Sequence, residues 1–198
     1  MEEKILETAE RLFLDKGFAL TTTTEIAKEA GCNQALVHYY FRTKEKLFQQ
    51  IFETKLKLFA SAFFSVGQQG DTFEERLARK IEAHFDMLAQ NPKLPLLLIN
   101  ELTLNPERLT EIKANMSTIP ISMLQSLESD LNAEIEKGTI RPITVFDLII
   151  NIVSLNVFLF VTRPIVSTVL NLTEEETEKM IANRRKEIVE TVIGSLKK

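Results

Sequence analysis

Apolar residues return at three- and four-residue spacing along this chain, and no stretch alternates strictly between apolar and polar positions. The first pattern marks helices with one buried face; the second is what a half-exposed strand would need. Only six Gly and six Pro interrupt the 198 residues. The chain therefore reads as all-α, and its 44% hydrophobic content is enough to bury a sizeable core.

A first helix runs from about Glu2 to Lys16, with Ile5, Ala9, Leu12 and Phe13 on one face. Gly17 stops it and lets Phe18 fold back. A long helix starts near Lys44 and continues to about Val66, with Leu47, Ile51, Leu58, Phe59, Ala62 and Phe63 at helical spacing. Gly67-Gln68-Gln69-Gly70 ends it. Asp71-Thr72 with Glu75 makes a capping box that opens a helix to about Gln90. Another spans Pro92 to Leu104, and a further one runs from Pro106 to Lys137 with a break near Ile119, because Pro120 lacks a backbone donor. Thr144 caps a helix that reaches about Thr162, and Thr173 with Glu176 opens the last, ending near Leu196 with a stripe of Met180, Ile188, Val192 and Leu196.

Between the first helix and the long one lie two short helices joined by a tight turn, residues 22–44. Thr22 caps the first, with Glu25 placed to reach back, and Ile26, Ala27 and Ala30 form its inner face. Gly31 ends it, Cys32 sits in the turn as a small buried hydrophobe, and Asn33 caps the second helix. Val37 and Phe41 lie four apart and pack inward with Leu36 beside them, which turns Gln34, Ala35, His38 and Tyr39 outward. An outward Gln reads a base edge and a small Ala meets a thymine methyl. The hydroxyls of Tyr39 and Tyr40 suit phosphate oxygens, as do Arg42 and Lys44, with Thr43 capping the next helix beneath the same phosphate. Thr22 and Thr24 complete the candidate contact set for duplex DNA.

Residues 4–52 resemble the N-terminal domain of the tetracycline-repressor-like (TetR) transcriptional regulators. The resemblance rests on Ile5-Leu6-Glu7-Thr8-Ala9, Leu12-Phe13, Lys16-Gly17-Phe18, Thr22-x-x-Glu25-Ile26-Ala27, Ala30-Gly31, and His38-Tyr39-Tyr40-Phe41 with Thr43-Lys44-Glu45-x-Leu47. It implies an all-helical dimer, a three-helix helix-turn-helix DNA-binding domain over residues 1–47, and an effector-binding and dimerisation domain over 48–198. Gln34, Ala35, His38 and Arg42 stand where the family often has Lys, Gly, Tyr and a Gly or small polar residue. These are recognition-face positions, so they bear on the operator sequence.

Net charge is −4, and residues 1–50 carry seven basic side chains against eight acidic. Residues 31–60 differ, with five basic (Arg42, Lys44, Lys46, Lys55, Lys57) against two acidic, a local +3 that suits phosphates on an otherwise acidic chain. One cysteine excludes an intramolecular disulfide and a Cys-based metal cluster, and His38 and His84 are too far apart to suggest a metal pair, so no cofactor is expected. The charged N-terminus shows no secretory signal. The apolar run from about Val145 to Val161 holds Asp147, Asn151, Ser154 and Asn156, which argues against a membrane span and for a cytoplasmic protein.

Eight of thirteen phenylalanines lie between Phe41 and Phe85. Residue by residue they fill a core. The resemblance implies an effector pocket in the same region, which would be lined by Phe59, Phe63, Phe64, His84, Phe85, Met87, Met116 and Met123. Scarce charge on these faces favours a neutral or weakly polar ligand. The helix from Thr144 is apolar on nearly every side, so it must be covered by more than its own domain. A homodimer through the last two helices follows, with Asn151, Leu155, Phe158, Ile188 and Val192 at the interface, and Asn151 and Asn156 bonding across it.

No P-loop, GxGxxG motif, G-x-S-x-G elbow or plausible nucleophile–base set is present, so catalysis is not expected. The leading expectation is a ligand-responsive transcriptional repressor released from a double-stranded operator by a largely apolar effector. The alternative is a helical protein-interaction module that does not bind an operator.

Overall fold

The computed structural model describes residues 1–64, 72–107 and 121–198. The Gly67–Gly70 loop, Asp71, Met116 and the break before Pro120 lie outside the described residues. Within them the chain forms helices α1 (Glu2–Leu20), α2 (Thr23–Ala30), α3 (Gln34–Phe41), α4 (Lys44–Ala62), α5 (Phe73–Gln90), α6 (Leu94–Leu104), α7 (Ile121–Glu136), α8 (Val145–Val169) and α9 (Glu174–Leu196). No described residue is in a strand.

Most helix boundaries follow from local chemistry. Gly17 interrupts α1 at φ 79°, a conformation that costs glycine nothing, and one further turn then carries the helix to Leu20 rather than ending it at Lys16. Gly31 ends α2 in the left-handed conformation at φ 71°, with Cys32 N–H donating to Ala27 O at 2.9 Å. Thr72 and Thr173 form complete capping boxes with Glu75 and Glu176. Thr144 accepts from Asp147 N–H at 3.0 Å. At α2 only half the expected box forms. Thr22 accepts from Glu25 N–H at 3.2 Å, but the Glu25 carboxylate turns to Lys16.

Helix α8 continues past Thr162 and through Pro164 to Val169. A single proline removes one donor. Here the helix goes on because its far end is fixed: Ser167 and Thr177 hydroxyls lie 3.3 Å apart, and Asn171 at φ 51° closes the C-terminus with Leu172 N–H on Ser167 O at 2.9 Å. By length and composition α8 is long and apolar enough to cross a membrane, and only 28% of its most apolar window is buried.

The described residues fall into two compact units. One takes Met1–Leu58 with the described part of Leu96–Ala114; the other takes Phe59–Pro95 with the described part of Asn115–Lys198. Helix α4 runs without interruption through the 47/48 boundary expected from the sequence.

In the first unit α1 packs on α2 and α3 around Ile5, Phe13, Ile26, Val37 and Phe48, all at most 2% exposed. Phe48 meets Phe13 edge-on at 4.9 Å and Phe18 at the same distance. In the second unit α5 packs on α8 and α9, and α7 on α8. Arg185 of α9 clamps α5: Nε and Nη2 donate to the two Asp86 oxygens at 2.7 and 2.8 Å, and Nη1 to Glu82 at 2.8 Å. Such a bidentate fork fixes the register of two helices.

Candidate nucleic-acid interface and buried polar pair

Helix α3 stands on two buried anchors, Val37 at 2% and Phe41 at 6% exposure. Asn33 Oδ1 accepts from Leu36 N–H at 2.9 Å and fixes its start. Leu36 is half-buried beside the two anchors, and the remaining positions of that helix are exposed. Ten of the eleven expected contact residues are exposed, Thr22, Thr24, Asn33, Gln34, Ala35, His38, Tyr39, Tyr40, Arg42 and Thr43, and Lys44 is half-exposed. Tyr39 is 66% exposed and meets Tyr40 edge-on at 5.3 Å, so two hydroxyl-bearing rings stand together beside the α3 face. Gln34 is not a free arm. Its Nε2 donates to Thr23 Oγ1 at 2.8 Å, and Thr24 Oγ1 donates to its Oε1 at 3.4 Å.

Arg42 ends the helix in a strained form, φ 65° and ψ −58°. Thr43 N–H donates to Phe41 O at 2.7 Å across it, a three-residue turn with positive φ that L residues rarely adopt. The Arg42 side chain is left exposed just past the C-terminus of α3. Thr43 Oγ1 then accepts from Lys46 N–H at 3.2 Å and starts α4.

Lys44, expected at a phosphate, points its ammonium inward. It donates to Phe18 O and Thr21 O at 3.0 Å each and lies 4.0 Å from the Phe18 ring centroid. Carbonyls at a helix end lack i+4 donors; Phe18 O accepts from Thr21 N–H at 3.3 Å, and the ammonium adds a second donor there and one for Thr21 O. Two of its three N–H groups are thereby used. Other basic residues of this unit are also engaged: Arg11 with Glu29, Lys16 with Glu25, and Lys55 with Glu10 at 2.6 Å. Lys28, Arg42 and Lys46 are exposed and enter no ion pair among the described residues. Lys28 and Lys46 were not singled out from the sequence as contacts, although Lys46 sits in the first turn after the capping Thr43.

The second unit places its expected pocket residues unevenly. His84, Phe85, Phe63 and Met87 are buried at 1%, 1%, 5% and 7% exposure, and Phe59 and Phe64 are half-buried. Phe59 stands edge-on to the His84 ring at 5.1 Å. Met123 does not belong with them: it is 42% exposed on α7. A groove of about 580 Å³ is lined by Ile135, Arg141, Pro142, Ile143, Thr144, Asp147 and Asn151, and shares no residue with that set.

The interface set also divides. Phe158 is 68% exposed, Asn151 is exposed and Leu155 half-buried, all on α8. Phe146, Ile150, Ile165 and Val169 are also 48–70% exposed on that helix. Ile188 and Val192, in contrast, are 0% and 2% exposed within the single chain. Their stripe marks a buried face, and that face is already covered by the packing of α9 on α5 and α8. Asn156 does not bond across an interface either. It is fully buried, its Nδ2 donates to Ile81 O at 3.1 Å, and the same nitrogen lies 2.9 Å from His84 Nδ1. His84 Nε2 and Asn156 Oδ1 have no hydrogen-bond partner among the described residues. Each buried unsatisfied polar group costs on the order of 1–3 kcal/mol. Burial pushes the His84 pKa down to about 4, so the imidazole is neutral at pH 7.

A solvent-facing second helix, anchored by two apolar residues and set by a tight glycine turn against the first, is the arrangement that enters a major groove. The fold and this face define a helix-turn-helix DNA-binding regulator. Residues 5–51 match the family described as bacterial regulatory proteins, tetR family, and residues 74–192 match the tetracyclin repressor-like C-terminal domain. The chain belongs to the TetR family. It is 26% identical over 138 residues to the fatty acid metabolism regulator protein of Bacillus subtilis (strain 168), covering 70% of each chain. It is 41% identical over 51 residues to the HTH-type transcriptional regulator QacR of Staphylococcus aureus (strain Mu50), covering 26% of this chain and 27% of that one. In fold it resembles the TetR family transcriptional regulator PfmR from Thermus thermophilus, with TM-score 0.67 and 21% identity over 93% of this chain and 96% of that one. A tetR-family bacterial regulatory protein from Rhodococcus gives TM-score 0.72 at 20% identity over 99% and 96%. Members of this family are DNA-binding regulators rather than enzymes; they are soluble, bind operators and usually act as dimers.

Proposed function

We propose that this protein is a cytoplasmic repressor that binds a two-fold operator as a homodimer and leaves it when a small, largely apolar effector enters the second unit. The observation that carries the DNA half is α3: a rigidly capped helix whose outer face offers Gln34, Ala35, His38 and Tyr39, flanked by Lys28, Arg42 and Lys46, cations without an ion pair among the described residues. Phosphate contacts by those cations set register, and the α3 face reads bases. The exposed apolar face of α8 supports a dimer: a second copy would cover Phe146, Ile150, Leu155 and Phe158 without a membrane.

The effector half is supported by the buried Phe63, His84 and Phe85 with the half-buried Phe59 edge-on to His84; Lys80, also buried, lies 6.0 Å from the Phe63 ring centroid. Helix α4 begins at the Thr43 cap beside the recognition helix and includes Phe59, so a ligand that moves Phe59 has a mechanical route to α3. Shifting a 99:1 population to 1:99 requires a differential affinity of about 10⁴. A gel shift with DNA upstream of the protein's own gene tests the reading: a shift that competitor DNA of unrelated sequence does not abolish supports it, and the absence of any sequence preference contradicts it.

A further inference from the structure

The exposed face of α8 and the groove beside it form one surface. Phe146, Ile150, Ser154, Phe158, Ile165 and Val169 are all exposed, and at about 100° per residue they fall on one side of the helix. Asp147 and Asn151 are exposed on the same side and also line the groove of about 580 Å³, which reaches Ile135 and Ile143. Within the row of six only Ser154 is small. Its hydroxyl donates to Asn151 O at 3.1 Å, so it needs no water when covered. Each phenylalanine leaves about two-thirds of its side chain open, roughly 100–170 Å². The whole row then offers several hundred Å², the scale of the ~800 Å² per partner that a stable pair covers. Arg163, the one cation of α8, lies on the opposite side of the helix from Ser154.

We propose that a second copy closes this surface with its α8 antiparallel and the two-fold axis beside Ser154, so that the partner's Phe158 packs on Ile150 and enters the groove at its Asn151 rim. This rests on the reading of the protein as a homodimeric repressor and fixes how the two copies pair. A two-fold pair presents the same residues from both chains. Run parallel, each residue would meet its own copy. Asp147 would then face a second Asp147 with no cation on that face, and groove would face groove, leaving both open. Run antiparallel about Ser154, the two Asp147 side chains stand about 21 Å apart along the helix. The small serine lets the axes approach towards the ~8 Å end of the usual range. Phe158, four positions after the crossing, then meets Ile150, four positions before it.

Cysteine cross-linking of the full-length protein, in a Cys32→Ser background, reads the register. A disulfide needs Cα atoms within about 7 Å. Ser154→Cys is expected to give a covalent dimer within minutes of adding copper phenanthroline. Asn151→Cys and Val169→Cys should each cross-link at least tenfold more slowly, because their copies lie about 9 and 45 Å apart along the helix. The double variant Asn151→Cys/Phe158→Cys should cross-link as fast as Ser154→Cys. Val169→Cys linking as fast as Ser154→Cys, or no link in Ser154→Cys, overturns the proposal. Because Phe158→Cys itself weakens the apolar face, the single variants at 151, 154 and 169 decide without it. Sedimentation of the unmodified protein separates this from the repressor reading. A dimer with the wrong cross-links leaves the homodimer standing and removes this pairing. A monomer at micromolar concentration removes both. A Ser154→Cys dimer that links as expected yet retains no DNA of any sequence leaves the pairing standing and removes the operator reading.

Discussion

Gln34 Nε2 donates to Thr23 Oγ1 at 2.8 Å, so the first residue of the recognition helix is aimed by the first residue of the helix before it. A base-reading amide held in this way loses little rotamer freedom on binding. Gln34→Ala is expected to relax preference at one base position by ~1–3 kcal/mol if its contact is bidentate. Thr23→Val, which keeps shape and removes the hydroxyl, should relax the same position by less. Competition binding against single-base operator variants checks both; an unchanged preference in Gln34→Ala would reassign the reader.

Arg42 holds a positive φ that glycine would adopt freely. Such a residue costs about 1–3 kcal/mol, and glycine gives back part of the gain as chain entropy. Arg42→Gly should therefore raise stability by about 1 kcal/mol while weakening DNA binding and flattening the salt dependence by about one unit. Lys44→Ala should do the reverse, lowering stability with little change in salt slope, because its ammonium serves Phe18 O and Thr21 O. Thermal melts and salt titrations of both variants decide. A steeper loss of salt slope in Lys44→Ala than in Arg42→Gly would contradict this division of labour.

His84 sets a pH dependence whose sign follows from its depressed pKa. The unfolded imidazole gains a proton near pH 6.5 and the folded one only near 4. The contribution is complete above 6.5 and is lost as pH falls towards 4, up to about 3 kcal/mol in all. Urea unfolding at pH 7.5 and 4.5 is expected to show this loss in the unmodified protein and much less of it in His84→Phe. Equal pH dependence in the two would place the titrating group elsewhere.

Much of this architecture was legible because it is local. The caps at Thr22, Asn33, Thr72, Thr144 and Thr173 involve residues three apart, and the inward Val37 and Phe41 follow from one helical turn. What failed was partner choice at long range. Glu25 found Lys16 instead of its own cap. Asn156, a polar residue on an apolar helix, bonded within its own chain to His84, 72 positions away, and not across an interface. The stripe of Ile188 and Val192 identified a buried face without revealing what buries it. The sequence ended this helix near Thr162, but it runs to Val169, where the Ser167–Thr177 contact joins it to the next helix across ten positions.

Phe158, 68% exposed at the middle of α8, is the position where a charge should be least compatible with a dimer. Phe158→Glu is expected to give a folded monomer with operator affinity reduced by orders of magnitude, since one half-site retains only half of the contacts. Sedimentation and circular dichroism check assembly and folding together. A monomeric unmodified protein at micromolar concentration would rule out the α8 dimer.

The central claim, sequence reading by α3 in a paired molecule, is tested most directly by selecting random duplexes with the unmodified protein and sequencing what it retains. The expected result is an enriched inverted repeat whose half-sites lie at least one helical turn, ~34–36 Å, apart. Retained DNA without a common sequence, or no retention at low salt, would contradict it.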